Sequence, residues 1–490
     1  MFRRLLVANR GEIALRVLRT ARELDIEVVA VYSDADRNAL HVRFADQACR
    51  LGPPPPRDSY LRIDRIVEAA QQVGADAVHP GYGFLAENAD FAEAVAAAGI
   101  TLVGPSADAI RAMGDKISAR RIAALAGVPV VPGIDKEGAS DDDLIAIARS
   151  IGFPVLLKAA AGGGGKGIRI VNEEAELSDA ARLVRAEAAG AFGDDRIYLE
   201  KLLLEPRHIE IQLVADAHGD VVTYGERECS VQRRHQKIVE ECPSAALTDD
   251  TRQRMEDAAV AIAKQVGYLG AGTVEFMFSH GEFYFLEMNT RLQVEHAITE
   301  ELYGVDLVAE QLRVAAGEQA RPAPEPRGHS IEVRVNAEDP DTFFPILGTI
   351  ERLGSPGGPG VRFDSAVYRG LEVTPYYDSM LAKVIVRAGD RDTAIERMLR
   401  ALAELRIGGG TTSIPVAVRA LRSQAFQSGA YDTSILESLE PAITQDMDII
   451  AVAAALAKHE ALTATASRRP PGRASMSPWM LSGRVDRQGQ

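Results

Sequence analysis

Short apolar runs alternate with amphipathic stretches along the N-terminal part of the chain. Residues 3–8 form an apolar run, and Ile13, Val17, Ala21 and Leu24 then recur at helical spacing. The alternation continues with predicted strands at 27–32, 77–78 and 100–103 and predicted helices at 60–73 and 88–98. Repeated strand–helix units predict an open, mostly parallel sheet. Such sheets bind ligands beyond the carboxyl ends of their strands, and the turns NRGE (9–12) and HPGYGF (79–84) both follow strands.

A different pattern appears at 151–171, where two β-prone runs flank a glycine-rich stretch. Residues 162–167 match G-x-G-x-x-G, but β-branched residues follow instead of a helix, which argues against a dinucleotide site. A Walker A loop is excluded because Ala160 stands where Gly is required and Gly167 follows Lys166 in place of Ser or Thr. The stretch predicts a hairpin with a glycine tip whose N–H groups close over phosphates. The alternative is a flexible loop without a ligand.

A second predicted hairpin lies between Leu269 and Glu300. Two apolar runs, 273–278 and 283–286, flank a turn that contains Gly281. Polar side chains then occupy alternate positions, which in an extended strand share one face. These residues are Glu287, Asn289, Arg291, Gln293 and Glu295.

Glu275, on the first strand of this hairpin, is expected opposite Glu287. This pairing requires either a five-residue connection, 279–283, or a bulge that restores the same parity. Two carboxylates and an amide oxygen suit Mg²⁺, so the pattern predicts a metal site at Glu275, Glu287 and Asn289. The alternative is the solvated face of an ordinary strand. The apolar flanking residues argue against it, and Arg291 among the acids indicates an anion beside the metal.

Composition narrows the class of protein. The 490 residues suffice for about three domains, and the 46% hydrophobic and 26% charged content is typical of a globular protein. A net charge of -15 argues against a nucleic-acid partner. No apolar run approaches the ~20 residues of a membrane span, and residues 9–12 interrupt the N-terminal apolar patch, unlike in a signal peptide. Three cysteines form no disulfide framework, which favours a cytoplasmic protein.

Nine motifs between residue 2 and about residue 440 are specific enough to identify a family. They are NRGEIALR (9–16), HPGYGFLAEN (79–88), MGDK (113–116), KAAAGGGGKG (158–167), RHIEIQ (207–212), ERECSVQRRHQKIVEE (226–241), EMNTRLQVEH (287–296), EVRVNAEDP (332–340) and TPYYDSMLAK (374–383). In this combination and order they closely resemble biotin carboxylase, a member of the ATP-grasp superfamily.

The resemblance implies an ATP-grasp architecture that combines α/β and α+β parts. The expected regions are an N-terminal Rossmann-like α/β domain (1–115), a helical linker (116–130), a small lid (131–203), a large domain with the C-terminal domain (204–445), and a C-terminal helix with a flexible tail (446–490).

The resemblance also implies roles for individual residues. ATP contacts are implied for Lys116, Lys158, Gly163, Gly164, Gly165, Lys166, Glu200, Lys201, Leu203, His208, Gln232 and His235. Magnesium or manganese is implied at Glu275, Glu287 and Asn289. Bicarbonate is implied at Lys237, Arg291, Gln293, the Val294 backbone and Glu295, and biotin at Tyr82 and Arg334. The implied catalytic set is Glu295 as the base, with Arg291, Arg334 and Lys237.

The activity implied is ATP- and bicarbonate-dependent carboxylation of biotin through carboxyphosphate, the first half-reaction of an acetyl-CoA, propionyl-CoA or pyruvate carboxylase. The chain lacks the Ala-Met-Lys-Met biotinylation signature, so biotin is expected on a separate carrier protein. A separate carboxyltransferase is also expected. The resemblance further implies that this chain forms a homodimer. Ala297 replaces the proline of the family pattern beside the expected base, and residues 409–413 (GGTTS) depart from the pattern outside the catalytic motifs. The alternatives are another ATP-grasp carboxylate–amine ligase and an inactive scaffold protein.

Overall fold

A computed structural model describes residues 1–134, 140–160, 167–233 and 236–439. Several predicted site residues lie outside these ranges: Gly163, Gly164, Gly165, Lys166 and His235. The predicted glycine tip and the segment 446–490 also lie outside them. Within the described ranges, no helix has both the length and the apolar character that a membrane span needs.

The N-terminal region is a parallel sheet with helices between its strands. Its elements are β1 (Arg4–Val7), α1 (Gly11–Glu23), β2 (Glu27–Ser33), α2 (Leu40–Phe44), β3 (Gln47–Gly52), α3 (Ile63–Val73), β4 (Ala77–His79), α4 (Ala89–Ala97) and β5 (Thr101–Leu102). The strands follow the order β3-β2-β1-β4-β5 and pair in parallel, which confirms the predicted open sheet. The edge strand β3 was not predicted, because its sequence QACRLG lacks an apolar run and its first four residues are not buried.

This sheet brings two distant turns together. Because β1 and β4 are parallel neighbours, the turn after β1 and the loop after β4 meet at one edge. Asn9 Nδ2 donates hydrogen bonds to the carbonyls of Pro80 (2.7 Å) and Tyr82 (2.8 Å). The start of α1 and Tyr82 are therefore fixed relative to each other.

Two helices follow the N-terminal sheet, α5 (Ala107–Gly114) and α6 (Lys116–Leu125), and α6 lies within the predicted helical linker, 116–130. Asp115 separates them, because its backbone is extended and its carboxylate accepts a hydrogen bond from the Ser118 N–H, which caps α6. The cap places Lys116 at the first residue of α6.

Next along the chain is a four-stranded antiparallel sheet with two helices. Its elements are β6 (Gly133–Ile134), α7 (Asp141–Ile151), β7 (Val155–Ala159), β8 (Ile168–Val171), α8 (Glu174–Phe192) and β9 (Ile197–Lys201). β7 pairs antiparallel with β8, from Val155↔Val171 to Lys158↔Ile168, and this confirms the first predicted hairpin. Leu157, Val171 and Leu199 belong to a hydrophobic core formed by this region alone.

The remaining described residues form the largest sheet and its helices. In chain order the elements are β10 (Arg207–Ala215), β11 (Val221–Arg233), β12 (Gln236–Cys242), α9 (Asp249–Gln265), β13 (Gly270–Ser279), β14 (Glu282–Asn289), α10 (His296–Tyr303), α11 (Leu307–Ala315), β15 (His329–Asn336), β16 (Gly348–Thr349), β17 (Arg352–Gly354), β18 (Val361–Ser365), β19 (Glu372–Val373), β20 (Met380–Ala388), α12 (Arg391–Glu404), β21 (Arg406–Gly408), α13 (Ile414–Arg422) and α14 (Gln424–Ser428). Eight strands pair antiparallel in the order β14-β13-β10-β11-β12-β15-β20-β18.

The two faces of the eight-stranded sheet differ in chemistry. One face is apolar and packs against α9 and α12. The other face collects charged residues, because directly opposed residues of antiparallel strands share a face. The opposed pairs are Glu210↔Glu275, Glu240↔Glu332 and Arg334↔Lys383. α10 covers part of this charged face, with Ile298 and Leu302 packed against Ile385.

The β13–β14 hairpin confirms the predicted pairing of Glu275 with Glu287. The five-residue connection is wrong: Ser279 pairs with Glu282 across the two-residue turn His280-Gly281, and both turn residues have positive φ (52° and 83°). The predicted alternative, a bulge, is present, because the register shifts by one residue between Glu275 and Phe276. Leu286 is the extra residue.

Candidate active site

Lys237 is the centre of the buried charge on the sheet. Its Nζ donates to Glu210 Oε2 (2.7 Å), Glu275 Oε1 (3.2 Å) and Glu295 Oε1 (2.5 Å). Burial would lower the pKa of this ammonium group, but Cys229 and the three glutamates raise it well above its usual value. Lys237 therefore stays charged and joins carboxylates from three separate elements.

Glu295 lies at the N-terminus of α10 and not on a strand as predicted. β14 ends at Asn289, and Glu295 has the non-extended angles φ −82° and ψ 11°. The predicted same-face series is therefore wrong beyond Asn289, because the chain leaves the sheet there. The fully buried side chain still reaches the charged face, where its Oε1 accepts from Lys237 and its Oε2 accepts from Arg334 Nη2 (2.9 Å).

Two cations on one carboxylate decide the protonation state of Glu295. Burial alone would raise the pKa of its carboxyl group, but Lys237, Arg334 and Arg227 outweigh burial and hold the pKa well below its usual value. Arg334 also donates through Nε to Glu240 Oε1 (2.6 Å). Glu295 is thus an ionised carboxylate held from both sides.

Arg227 and Glu210, which were not predicted from the sequence as site residues, support Lys237: Glu210 accepts a hydrogen bond from Lys237 and is itself held by Arg227. Arg227 is fully buried, and its Nε donates to Glu210 Oε1 (2.5 Å) while its Nη1 donates to Gln212 Oε1 (2.7 Å). The alternation of His208, Glu210 and Gln212 in RHIEIQ was the available signal, since alternate strand residues share a face.

The predicted metal ligands lie together at the inner end of the hairpin. Asn289 Nδ2 donates to Glu275 Oε1 (2.8 Å), and Lys116 Nζ lies 3.8 Å from Glu287 Oε2. Burial and the neighbouring Glu275 raise the pKa of Glu287. A cation between the two carboxylates would relieve this repulsion, and two carboxylates with an amide oxygen are hard oxygen ligands. These residues therefore fit Mg²⁺ or Mn²⁺.

A second group of possible ligands does not need a metal ion. Ligand atoms of His208, Glu210 and Glu275 lie within 4.8 Å of one another. However, Lys237 already donates to both glutamates, and His208 Nε2 lies 2.7 Å from Glu275 Oε2. Burial would lower the pKa of His208, but Glu275 raises it. Cationic side chains thus balance these carboxylates.

Arg291 organises the predicted bicarbonate loop. Its Nη1 donates to Gln293 Oε1 (2.9 Å) and its Nη2 to Asn289 Oδ1 (3.1 Å). Its Nε donates to Glu87 Oε2 (2.9 Å), a contact that sequence analysis missed. Val294 presents its carbonyl to Lys383 Nζ (2.6 Å). The loop residues are therefore brought together by a turn and not by strand alternation.

The predicted ATP residues fall into two groups. Lys158 forms an ion pair with Glu200, which also accepts from Arg120 Nη1 (3.4 Å), another residue that sequence analysis missed. His208 Nδ1 lies 3.3 Å from Gln232 Nε2, beside Glu275. Lys201 and Leu203 lie close to the first group in sequence: Lys201 donates to the carbonyls of Gly152 (3.0 Å) and Phe153 (3.1 Å), and Leu203 follows β9. Lys116 lies apart from both groups, beside Glu287.

Tyr82 lies at the N-terminal side of the charged face. Its hydroxyl group donates to Glu12 Oε1, and Glu12 lies 3.6 Å from Lys383 Nζ. The parallel sheet thus supplies one wall of the site, through the turn after β1 and the loop after β4.

Three models of known protein domains match this chain. Models of the biotin carboxylase N-terminal domain, the carbamoyl-phosphate synthase L chain ATP-binding domain and the biotin carboxylase C-terminal domain match residues 1–110, 115–322 and 332–438. The biotin carboxylase of Haemophilus influenzae is 50% identical over 443 residues, which cover 89% of this chain and 98% of that protein. Biotin carboxylase 1 of Bacillus subtilis is 51% identical over 446 residues, 90% of this chain and 99% of that protein. The chain belongs to the biotin carboxylase family.

Solved biotin carboxylase structures share the fold. The Campylobacter jejuni biotin carboxylase, solved as a beta-gamma-ATP complex, superposes with a TM-score of 0.87 at 44% identity, and the match covers 89% of this chain and 99% of that chain. The biotin carboxylase domain dimer of Hydrogenobacter thermophilus 2-oxoglutarate carboxylase, solved with MgADP and bicarbonate, gives 0.85 at 47% identity, with coverages of 89% and 97%.

Family membership confirms the main predictions from sequence. The ATP-grasp fold is confirmed, and so is ATP-dependent carboxylation of biotin as the activity, in preference to a carboxylate–amine ligase or an inactive scaffold. The predicted use of ATP and Mg²⁺, with biotin carried by a partner, is also confirmed for a biotin carboxylase. The comparisons do not assign roles to individual residues.

Proposed function

We propose that Glu295 is the base that removes the proton of bicarbonate, with the anion held by Lys237, Arg291, Gln293 and the Val294 backbone. The observation that carries this proposal is the position of the Glu295 carboxylate, 2.5 Å from Lys237 Nζ and 2.9 Å from Arg334 Nη2. An ionised carboxylate fixed between two cations is ready to accept a proton from a bound anion.

The low pKa of Glu295 makes it a weak base by itself. The proton moves from the bicarbonate hydroxyl group to a Glu295 oxygen, which leaves a doubly charged carbonate. Lys237 and Arg291 stabilise this product more strongly than they stabilise bicarbonate, because Coulomb attraction grows with the charge of the anion. The transfer is therefore favourable for the cluster as a whole.

The carbonate oxygen then attacks the γ-phosphorus of ATP, which breaks the bond to ADP and forms carboxyphosphate. Lys116 and Lys158 hold the phosphates as point charges. Glu275, Glu287 and Asn289 would hold a Mg²⁺ or Mn²⁺ ion, which would neutralise phosphate charge during the transfer.

Carboxyphosphate breaks down to CO₂ and phosphate, and the phosphate takes the proton of the biotin ureido nitrogen. That nitrogen attacks CO₂ and forms carboxybiotin. Arg334 stabilises the ureido enolate, and Tyr82 borders the ring. Glu240, which accepts from Arg334 Nε, fixes the direction of the guanidinium group.

The second half-reaction requires a carboxyltransferase and a carboxyl acceptor. We infer that the chain acts in the cytoplasm as a homodimer with a biotin carboxyl carrier protein and a carboxyltransferase. Three unpaired cysteines, Cys49, Cys229 and Cys242, support a reducing compartment. Acetyl-CoA, propionyl-CoA and pyruvate are the candidate acceptors. The similar proteins include the biotin carboxylase parts of a pyruvate carboxylase and of a 2-oxoglutarate carboxylase, so similarity alone does not select one acceptor. Identifying the carboxyltransferase that co-purifies with this chain will show which acceptor is used.

Replacing the base tests the proposal. Glu295→Gln keeps the shape but cannot accept the proton, so kcat for carboxylation of free biotin should fall about 10²–10⁴-fold, with little change in the KM for ATP. Glu310→Gln, which alters a buried ion pair with Arg313 on α11, is the matched control. Near-normal carboxylation by Glu295→Gln would show that Glu295 only binds the anion.

Arg334→Ala separates the two halves of the reaction. Bicarbonate-dependent ATP hydrolysis should survive, because Lys237 still holds the Glu295 carboxylate and the phosphate and bicarbonate ligands remain. Carboxylation of biotin should fall, because the enolate loses its cation. Equal losses of both activities would place Arg334 in carboxyphosphate formation instead.

A further inference from the structure

Lys383 is a fully buried lysine that none of the roles above uses. It lies on β20, directly opposite Arg334 of β15. Burial would lower the pKa of its ammonium group, but Glu12, Glu332 and Asp364 raise it, so Lys383 remains charged. A buried charge is costly unless it is paired. The burial of Lys383 therefore indicates a specific role for its ammonium group.

The hydrogen bond of Lys383 goes to a neutral group. Its Nζ donates to the Val294 carbonyl at 2.6 Å, while Glu12 Oε1 is 3.6 Å away. Both carboxylate oxygens of Glu332 and Oε2 of Glu12 are buried without a hydrogen-bond partner among the described residues. The ammonium group thus bonds a backbone carbonyl while oxygens of nearby carboxylates stay unbonded.

The Val294 carbonyl belongs to the peptide bond that leads into Glu295. A peptide bond is planar, so holding this carbonyl fixes the backbone of Glu295 at the start of α10. The carboxylate end of the same residue is held by Arg334 and Lys237. Two neighbouring cations of one sheet, Lys383 and Arg334, therefore hold the two ends of Glu295.

Lys383 also reaches the opposite wall of the site. Glu12, its ion-pair partner, accepts the hydroxyl hydrogen of Tyr82. A continuous chain of contacts thus runs from Tyr82 through Glu12 and Lys383 to the backbone beside the base.

We propose that Lys383 is a positioning residue for biotin carboxylation, which orients Glu295 and the bicarbonate loop through the Val294 carbonyl and ties them to Tyr82 through Glu12. The inference rests on the proposed role of Glu295 as the base. Lys383 itself touches no reacting atom.

Lys383→Met keeps the length of the side chain and removes the donor. Because a displacement of about 1 Å can cost about 10²-fold in rate, kcat should fall by about that factor in both bicarbonate-dependent ATP hydrolysis and carboxylation of free biotin. The KM for bicarbonate should rise, while the KM for ATP stays unchanged. This split is not expected from general destabilisation.

Ser330→Ala is the matched control, because it removes a buried side-chain hydrogen bond of the neighbouring strand pair β15–β20, from Ser330 Oγ to the Val386 carbonyl (2.8 Å), without touching the Val294 loop. It should show unaltered kinetics. If Lys383→Met does not fold, the double variant Lys383→Met/Glu332→Gln removes a buried carboxylate together with the lysine and gives the same kinetic test.

A folded Lys383 variant with the kcat and bicarbonate KM of Ser330→Ala would overturn the proposal. Glu295→Gln, measured in parallel, separates the role of Lys383 from the role of the base. Lost activity in Glu295→Gln with normal activity in Lys383→Met rejects only the role of Lys383, whereas normal activity in Glu295→Gln rejects the base itself.

Discussion

The five-stranded and eight-stranded sheets bury very different side chains. β1 and β2 of the parallel sheet are apolar on both faces, with Leu5, Leu6, Val28 and Val29 all fully buried. The eight-stranded sheet is apolar on one face only. Its other face buries ionisable side chains almost as completely: Glu210, Arg227, Lys237, Glu240, Glu275, Glu332 and Lys383.

This difference separates the residues that stabilise the fold from those that perform chemistry. Apolar burial in the parallel sheet lowers the free energy of folding directly. The sheet contributes to the site at its edge, through Glu12 at the start of α1 and Tyr82 in the loop after β4. Buried charges cost free energy unless they are paired. Their concentration on one face therefore marks the region selected for function.

Arg227→Met should have the largest effect on stability, because it leaves the buried side-chain oxygens of Glu210 and Gln212 without their arginine donor. Breaking a buried ion pair costs about 3–5 kcal/mol, so the free energy of unfolding in denaturant should fall by that amount, with activity lost. Arg149→Ala, in an exposed ion pair with Glu174, is the control and should change neither. Equal unfolding curves for the two variants would show that the buried charges of the eight-stranded sheet contribute no more to stability than an exposed ion pair.

Leu6→Ala probes the apolar sheet in the same way. Removing a fully buried leucine should lower the free energy of unfolding by about 2–5 kcal/mol, with kcat and KM values unchanged below the unfolding transition. Leu61→Ala, at a leucine that is 42% exposed, should leave stability nearly unchanged. A kinetic defect in folded Leu6→Ala would show that the parallel sheet takes part in catalysis beyond its edge turns.

Glu240→Gln should give the smallest effect, visible as a change in pH dependence. Burial, partly offset by Arg334, raises the pKa of Glu240 from 4.5 to about 7. Between these values the folded protein holds a proton that the unfolded chain has released, so Glu240 lowers stability as the pH rises through this window. The thermal midpoint of the variant should therefore rise relative to that of the wild type from pH 4.5 to about 7 and stay level above. Parallel curves would contradict the raised pKa.

The same contrast explains what sequence could and could not predict. The apolar periodicity of β1, α1 and β2 is local, so their positions followed from the pattern. The Glu275–Glu287 pair followed from parity within one hairpin. Glu295 was placed on a strand because the alternation of polar residues continues after Asn289, although the chain turns there.

Long-range partners left no local signal. Lys237 and Glu295 are 58 residues apart, and Lys383 and Val294 are 89 apart. The resemblance supplied Lys237 and Arg334 through their motifs. It assigned no role to Arg227, Glu87 or Lys383, although all three lie within its motifs. Their contacts become evident only when distant parts of the chain are brought together in the structure.

The bulge at Leu286 has a consequence for how hairpins of this kind tolerate insertions. Without Leu286, the ladder that starts at Ser279↔Glu282 would run unbroken and would still place a glutamate opposite Glu275. The extra residue is absorbed between the tip and the site, and neither end changes its partners. The number of residues between the two glutamates therefore does not locate the acidic pair reliably in related sequences. The two strands of the hairpin should be aligned separately, one from the turn and one from the site.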